Sequence, residues 1–329
     1  MIRFENVENK YVNQAVEIAK KCYEKERQQC KGLIEDDFEG AFREVITGLF
    51  GNGKGKVAIE DEKVIGYMAF WGPFEGFHGN VKGMFSPLGG SGFNGNDNGK
   101  LASLLVQAVC EEFVKDGILQ YAISYYAHDE EVKESMMLNS FGIRCSDLVM
   151  KLSERSIDVP KQSEVEYMEI PKSEVDQVAE LRKQMVEHMV SSPCFFPTCL
   201  KHYDEKFKEH DYRLFVAKAQ GKIVGFMILE DGDSETFVSA HNKIRNLGTT
   251  FVSKEYRNHD IANGLLEHVC KAVQNEGYIY LGVDCETVNP TALRFWRKQF
   301  MPYTYTYIRR IDERACGYDE YMKEYYKNN

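Results

Sequence analysis

The sequence has no basic excess: Lys plus Arg number 41 against 51 for Asp plus Glu, a formal net charge of -10. Broad contact with nucleic-acid phosphates or an anionic membrane needs a basic face, so neither is an expected partner. The acidic balance is compatible with a cationic substrate. No run approaches the ~20 consecutive apolar residues of a membrane-spanning helix, and the opening residues MIRFENVENKY lack the apolar stretch of a secretory signal. There is no C-x-x-C pair either. The nine cysteines are scattered and odd in number, which speaks against a disulfide framework or a zinc site and for reduced, mostly buried thiols. Together these absences predict a soluble chain of the cytoplasm that needs no metal.

What is present is an ordinary globular composition, 43% hydrophobic and 28% charged over 329 residues. At roughly 150 residues per domain this length predicts about two domains. The chain repeats itself once. Lys63-Val64-Ile65-Gly66-Tyr67-Met68 matches Lys222-Ile223-Val224-Gly225-Phe226-Met227, and Val57-Ala58 before the first matches Val216-Ala217 before the second. Leu104-Leu105 then pairs with Leu265-Leu266 and Gly117 with Gly277, in order and at nearly constant spacing. The polar segment Ser153–Ser163 separates the copies, which we place at 1–153 and 164–329.

Both copies carry one order of elements. A helix opens each (about 10–30 and 173–190), followed by a second helical stretch (36–49 and 198–209). Alternating apolar residues predict strands at 56–60 and 64–71, and at 213–218 and 222–230, joined by the short polar turns Glu60-Asp61-Glu62 and Gln220-Gly221. A long helix follows. Leu101, Leu104, Leu105, Ala108 and Val109 share one face in the first copy, as Ala262, Leu265, Leu266, Val269, Ala272 and Val273 do in the second. Gly117 and Gly277 stand where such helices end. A strand (Leu119–Tyr125; Tyr278–Cys285), a short helix and a last strand complete each copy. Antiparallel strands first and a β-helix-β unit later predict an α/β fold with a mixed, mostly antiparallel sheet flanked by helices.

The most specific stretch is Ser253-Lys254-Glu255-Tyr256-Arg257-Asn258-His259-Asp260-Ile261-Ala262, which leaves the strand Leu247–Val252 and runs straight into a helix. A helix so placed offers free N–H groups and its dipole to an anion. Alternatively it is an ordinary helix with Asp260 as N-cap.

Taken with Asn289-Pro290-Thr291-Ala292-Leu293-Arg294-Phe295-Trp296, this stretch resembles the GCN5-related N-acetyltransferase (GNAT) family, here as two tandem GNAT-like domains. Arg257 through Ala262 resembles the family's phosphate loop, Arg/Gln-x-x-Gly-x-Gly/Ala, except at one position. Asn289, Ala292 and Trp296 match its later signature. The resemblance implies that Phe251 and Val252 pair with the pantetheine arm of acetyl-CoA. It implies that Arg257, Asn258, His259, Asp260, Ile261, Ala262 and Asn263 hold the pyrophosphate. Asn289 would bond the arm or pin the adjacent strand, and Ala292 and Trp296 would flank the acetyl end. A thioester is already reactive, so the protein must chiefly hold an amine near the carbonyl, take a proton from it and stabilise an oxyanion.

Two residues depart from the family pattern. Asp260 stands at its first loop glycine, where a carboxylate ~5 Å from a phosphate costs about 3 kcal/mol at an effective dielectric of ~20 and would cap one helix amide. Trp296 replaces a Tyr credited with protonating the leaving thiolate, a role for which indole N–H is too weak an acid. Tyr305, flanked on its strand by Tyr303 and Tyr307, is a candidate in its place, alongside the reading of all three as structural aromatics. Asp284 and Glu286, alternating along one strand, are candidate bases, as is His241. Ser192, Phe195 and Phe196 lie where the family has an acceptor loop.

Gly90-Ser91-Gly92-Phe93-Asn94-Gly95 satisfies G-x-G-x-x-G, but the following Asn96-Asp97-Asn98-Gly99 would break the helix that a dinucleotide fingerprint requires. Asn94, Asn96 and Asn98 imitate a calcium loop whose twelfth position is Leu105 rather than Glu. In the first copy Asn96, Gly99 and His128 fall opposite Arg257, Asp260 and Asn289, so that copy is expected to be degenerate. The expectation is an acetyl-CoA-dependent N-acetyltransferase acting on a small-molecule or peptide amine, with its active site in the second copy and with a second copy of the chain as a candidate partner. The alternative is a non-catalytic CoA-binding or interaction protein of the same fold.

Overall fold

The computed structural model describes residues 1–155, 164–191, 207, 211–230, 236–317, 322–324 and 326–327. They form two compact units. The first comprises Met1–Lys31, Glu35–Ser146 and Tyr303–Asn329, the second Gly32–Ile34 and Asp147–Pro302.

The first unit opens with β1 (Arg3–Asn6), α1 (Val12–Gln29) and α2 (Glu39–Asn52). Strands β2 (Gly55–Glu60), β3 (Lys63–Ala69), β4 (Trp71–Phe74), β5 (Lys82–Ser86) and β6 (Ser91–Phe93) follow, so the apolar run expected at 64–71 divides between β3 and β4. Then come α3 (Asn98–Phe113), β7 (Ile118–Tyr126), α4 (Glu130–Leu138) and β8 (Gly142–Lys151). One sheet has the order β1-β2-β3-β6, and in the other β5 pairs in parallel with β7. Because Ser91–Phe93 is a strand and α3 starts only at Asn98, no helix opens inside the G-x-G-x-x-G stretch.

The second unit repeats this plan with β9 (Val165–Ile170), α5 (Ala179–Val190), β10 (Tyr212–Ala219), β11 (Lys222–Glu230), β12 (Ile244–Val252), α6 (Ile261–Asn275), β13 (Tyr280–Glu286), α7 (Pro290–Trp296) and β14 (Met301–Pro302). Its strands run in the order β13-β12-β11-β10-β9, antiparallel except for β12 and β13. The helical stretch expected at 198–209 lies outside the described residues except for Phe207.

The repeat extends to local conformation. Asp61 and Glu62, and Gln220 and Gly221, all have positive φ, the two-residue turn whose twist matches that of a hairpin. Gly117 and Gly277 close their helices at φ 71° and 88°, where a side chain would be strained.

Alternation along the second sheet sends side chains to two faces. Met227, Leu229, Leu247, Val283 and Cys285 pack with Leu265, Leu266 and Val269 of α6 and with Trp296 of α7. Phe226, Ile228 and Phe251 face the other way and pack with Leu181, Met185 and Val186 of α5. A fully buried Leu or Phe stabilises by roughly 1.5–3 kcal/mol, so this two-sided burial fixes where the ends of β12 and β13 lie.

The last strand, β15 (Thr304–Arg310), belongs to the first unit, where it pairs with β7 and with the first half of β8. The second half of β8, from Asp147, belongs to the second unit and pairs with β14. The sequence copies drawn at 1–153 and 164–329 thus place the end of each copy's last strand in the other's unit.

Candidate functional site

Beyond Leu247 and Val283 the parallel pairing of β12 with β13 stops among the described residues, although both strands run on to Val252 and Glu286. On its other edge β12 stays paired with β11 as far as Val252, opposite Gly225. The main chain of Gly248–Val252 therefore presents one edge without a neighbouring strand, and such groups take up any extended ligand that offers amides.

Where β12 ends, the chain makes a single 3-10 turn, Lys254–Tyr256, and enters α6 through Arg257–Asp260. Asn258 and Asp260 both adopt the left-handed conformation, φ 65° and 54°. Asn and Asp tolerate that region better than other non-glycine residues, at about 1–2 kcal/mol each. This explains how a loop with Asp260 at a glycine position still makes the turn. It also corrects the expectation that Asp260 caps the helix: its side chain makes no cap hydrogen bond. Instead its Oδ1 accepts from Asn263 Nδ2 at 3.1 Å, and Asn263 Oδ1 accepts from Gln299 Nε2 at 3.1 Å. The first-turn amides of α6 keep no intrahelical acceptor and end a helix dipole, a natural anion site. Arg257 fixes the entry to the loop, its Nε donating to Val252 O at 3.1 Å and its guanidinium lying 5.3 Å from the Phe251 ring centre.

A cleft of about 670 Å³ joins these elements. Phe251 and Val252 line it, with Thr250, from β12. Arg257, Asn258, Asp260, Ile261, Ala262 and Asn263 contribute the loop and the first turn of α6. Asn289, Ala292 and Trp296 line it from α7. Of the residues expected at a cofactor site, only His259 is outside its walls. Asn289 Oδ1 accepts from Ala292 N at 3.2 Å and caps α7, its Nδ2 meets Met189 Sδ of α5 at 3.9 Å, and its main-chain N–H donates to Glu286 O at the end of β13 at 3.0 Å. Trp296 is buried, edge-on to Phe295 and Phe300.

The structure adds residues that the sequence did not single out. Arg294 and Lys298 join Arg257 in the walls, so among the described residues three cations face the cleft against the one carboxylate of Asp260. A signal was available, since Arg294 lies inside the quoted stretch Asn289–Trp296. His188 of α5 also lines the cleft. Burial and, secondly, the charge of Arg257 hold it below the usual histidine range.

Other candidates lie elsewhere. Asp284 and Glu286 alternate with Val283 and Cys285, so they sit on the α5 side of the sheet, outside the cleft walls. His241 is also outside the walls. Tyr305 is on β15 in the first unit, opposite Tyr125 and 6.3 Å from the Tyr307 ring, and is not among the described walls of the cleft. Ser192, Phe195 and Phe196 lie outside the described residues.

The equivalent helix entry in the first unit is built differently. The residue preceding α3 is Asp97, not Gly99, and that preceding α4 is Asp129, not His128. These correct the pairing with Asp260 and Asn289 drawn from sequence spacing. Asp97 is extended, at φ -142°, and its carboxylate accepts from Lys100 N at 2.8 Å. Glu131 accepts from Asn98 N at 3.3 Å. At the ends of β6 and β7, Phe93 packs edge-on to Tyr125 with Cys22 bonded to both. Beside them buried Glu26 accepts from His128 N at 3.0 Å and meets His128 Nδ1 at 2.7 Å.

Comparisons with known proteins agree with this geometry. Residues 179–300 match the model of the Acetyltransferase (GNAT) family. A GCN5-related N-acetyltransferase from Sphaerobacter thermophilus is 14% identical, with a TM-score of 0.58 over 94% of this chain and 95% of that one. A glucosamine N-acetyltransferase region of a fungal multi-domain β-N-acetylglucosaminidase is also 14% identical, with a TM-score of 0.50 over 94% of this chain and only 38% of that one. A tandem GNAT protein from the clavulanic acid biosynthesis pathway is 13% identical, with a TM-score of 0.46 over 94% of this chain and 98% of that one. A search of curated proteins finds no match. The chain has the GNAT fold, and its residues 179–300 match the GNAT family model.

Proposed function

We propose that the second copy, residues 164–329, is an N-acetyltransferase that moves an acetyl group from acetyl-CoA to the primary amine of a small molecule or peptide by direct attack. The first copy, residues 1–153, is its non-catalytic companion. The observation that carries this reading is one cleft combining an unpaired strand edge, a helix N-terminus without a side-chain cap, and three cations. These residues fit the cofactor. The amides of Ile261, Ala262 and Asn263 and the side chains of Arg257, Arg294 and Lys298 would hold its phosphates. The edge at Thr250–Val252 would receive its amide-bearing arm, and Ala292 and Trp296 would wall the acyl end. Bound acetyl-CoA supplies an activated acyl group whose thiol, with a pKa near ~8.5, leaves without an acid, so Trp296 is no obstacle. The first unit supports the division of labour, since its helix amides are taken by Asp97 and Glu131 and its strand ends are filled by Phe93 and Tyr125.

The test is thiol release from acetyl-CoA with spermidine, glucosamine, kanamycin and a tripeptide as acceptors. Amine-dependent release that drops at least tenfold in Arg257→Ala is expected. Acetyl-CoA binding with no release for any amine would replace this reading with a non-catalytic one.

A further inference from the structure

The cleft draws its walls from both faces of the second sheet. The helices α6 and α7 stand on the face of Leu247 and Val283, and α5 on the face of Phe226 and Phe251. From α5 one described side chain reaches the cleft, His188. A ligand lying along the free edge of β12, with its phosphates at α6, has the α6 and α7 side occupied by its own length. An incoming amine must approach from the α5 side. We infer that His188 is the catalytic base that takes the proton from that amine, an assignment that rests on the acyl-transfer reading above. In the step, the ammonium gives one proton to the imidazole and on to water, the freed lone pair forms the C–N bond, the thioester C–S bond breaks with its electron pair leaving on the CoA sulfur, and the second N–H proton is lost to water.

The surroundings suit the role. Burial and, secondly, the nearby Arg257 favour the neutral form of the ring, the form that can accept a proton. Among the charged groups around it, Arg257 faces it from the turn after β12. Asp284 and Glu286 stand on the same side of the sheet, and Glu187 precedes it on α5. Lys172, Glu174 and Asp176 lie in the 3-10 turn before α5, more than two helical turns away. The two β13 carboxylates, expected from the sequence to be bases, act on this account by attracting the ammonium form of the acceptor.

The experiment compares wild type, His188→Gln and His188→Ala by calorimetry with acetyl-CoA and by thiol release with the four acceptors named above. The expected result is unchanged acetyl-CoA binding in both variants and amine-dependent release lowered about 100-fold. The wild-type rate should rise through a limb below pH 6.5 that His188→Gln lacks, and imidazole should restore His188→Ala. Release in His188→Gln within threefold of wild type, with the same pH profile, overturns the assignment and leaves the acyl-transfer reading intact. Wild type that binds no acetyl-CoA, or releases no thiol with any acceptor, removes that reading and this assignment with it.

Discussion

At the scale of single residues, Asp260 decides how the cleft can work. Its left-handed backbone does what a glycine would do, and its carboxylate is tied sideways to Asn263 instead of closing the helix end. The negative charge still lines the cleft, beside the amides offered to phosphate. Asp260→Gly removes both the strain and the charge, so acetyl-CoA should bind about tenfold more tightly by calorimetry. Gly264, one turn into α6, has the opposite requirement. A Cβ there would lie 2.2 Å from the Tyr167 ring, so Gly264→Ala should cost about 1–3 kcal/mol in chemical denaturation. The first of these residues was legible in the sequence as a departure from a loop pattern. Its consequence was not, because whether an Asp caps a helix depends on its φ and ψ, which spacing does not reveal.

At the scale of elements, the two copies differ most at the entries to α3 and α6. Asp97→Ala should destabilise the chain by about 1 kcal/mol, the usual loss for an N-cap, whereas Asp260→Gly forfeits no cap and relieves a left-handed residue, so it should leave stability unchanged or raised. Thermal or urea unfolding distinguishes the two. The clamp between α1 and the turn after β7 has a pH signature. Burial raises the Glu26 carboxyl above its ordinary range, with His128 opposing the shift. A carboxyl raised in the folded state keeps its proton there while the unfolded chain loses it, so stability falls as pH rises above about 4.5. Glu26→Gln, which cannot ionise, should therefore gain on wild type as pH rises from 4.5 towards 7, measured by urea unfolding across that range. A difference that shrinks with pH contradicts it. The elements themselves were largely legible: hairpin turns, long helices and their terminal glycines follow from local pattern. The pairing of the copies at Gly99 and His128 missed by two residues and one, because the first copy's loops differ in length and only the helix starts fix the correspondence.

At the scale of the whole molecule, the repeat was visible in the sequence while the exchange of strand ends was not. Tyr303, Tyr305 and Tyr307 alternate as any strand would. Nothing local distinguishes pairing with β7, more than 170 residues earlier, from pairing within the second copy. That non-local choice is why Tyr305 looked like a neighbour of Trp296 and is instead part of the first unit. The account makes one unit the binder and the other its closed counterpart, so the number of sites is its most direct consequence. Calorimetry of acetyl-CoA into the full chain should show one site per chain, abolished or weakened at least tenfold by Arg257→Ala. No heat at saturating ligand, two sites, or a single site indifferent to Arg257→Ala would contradict it.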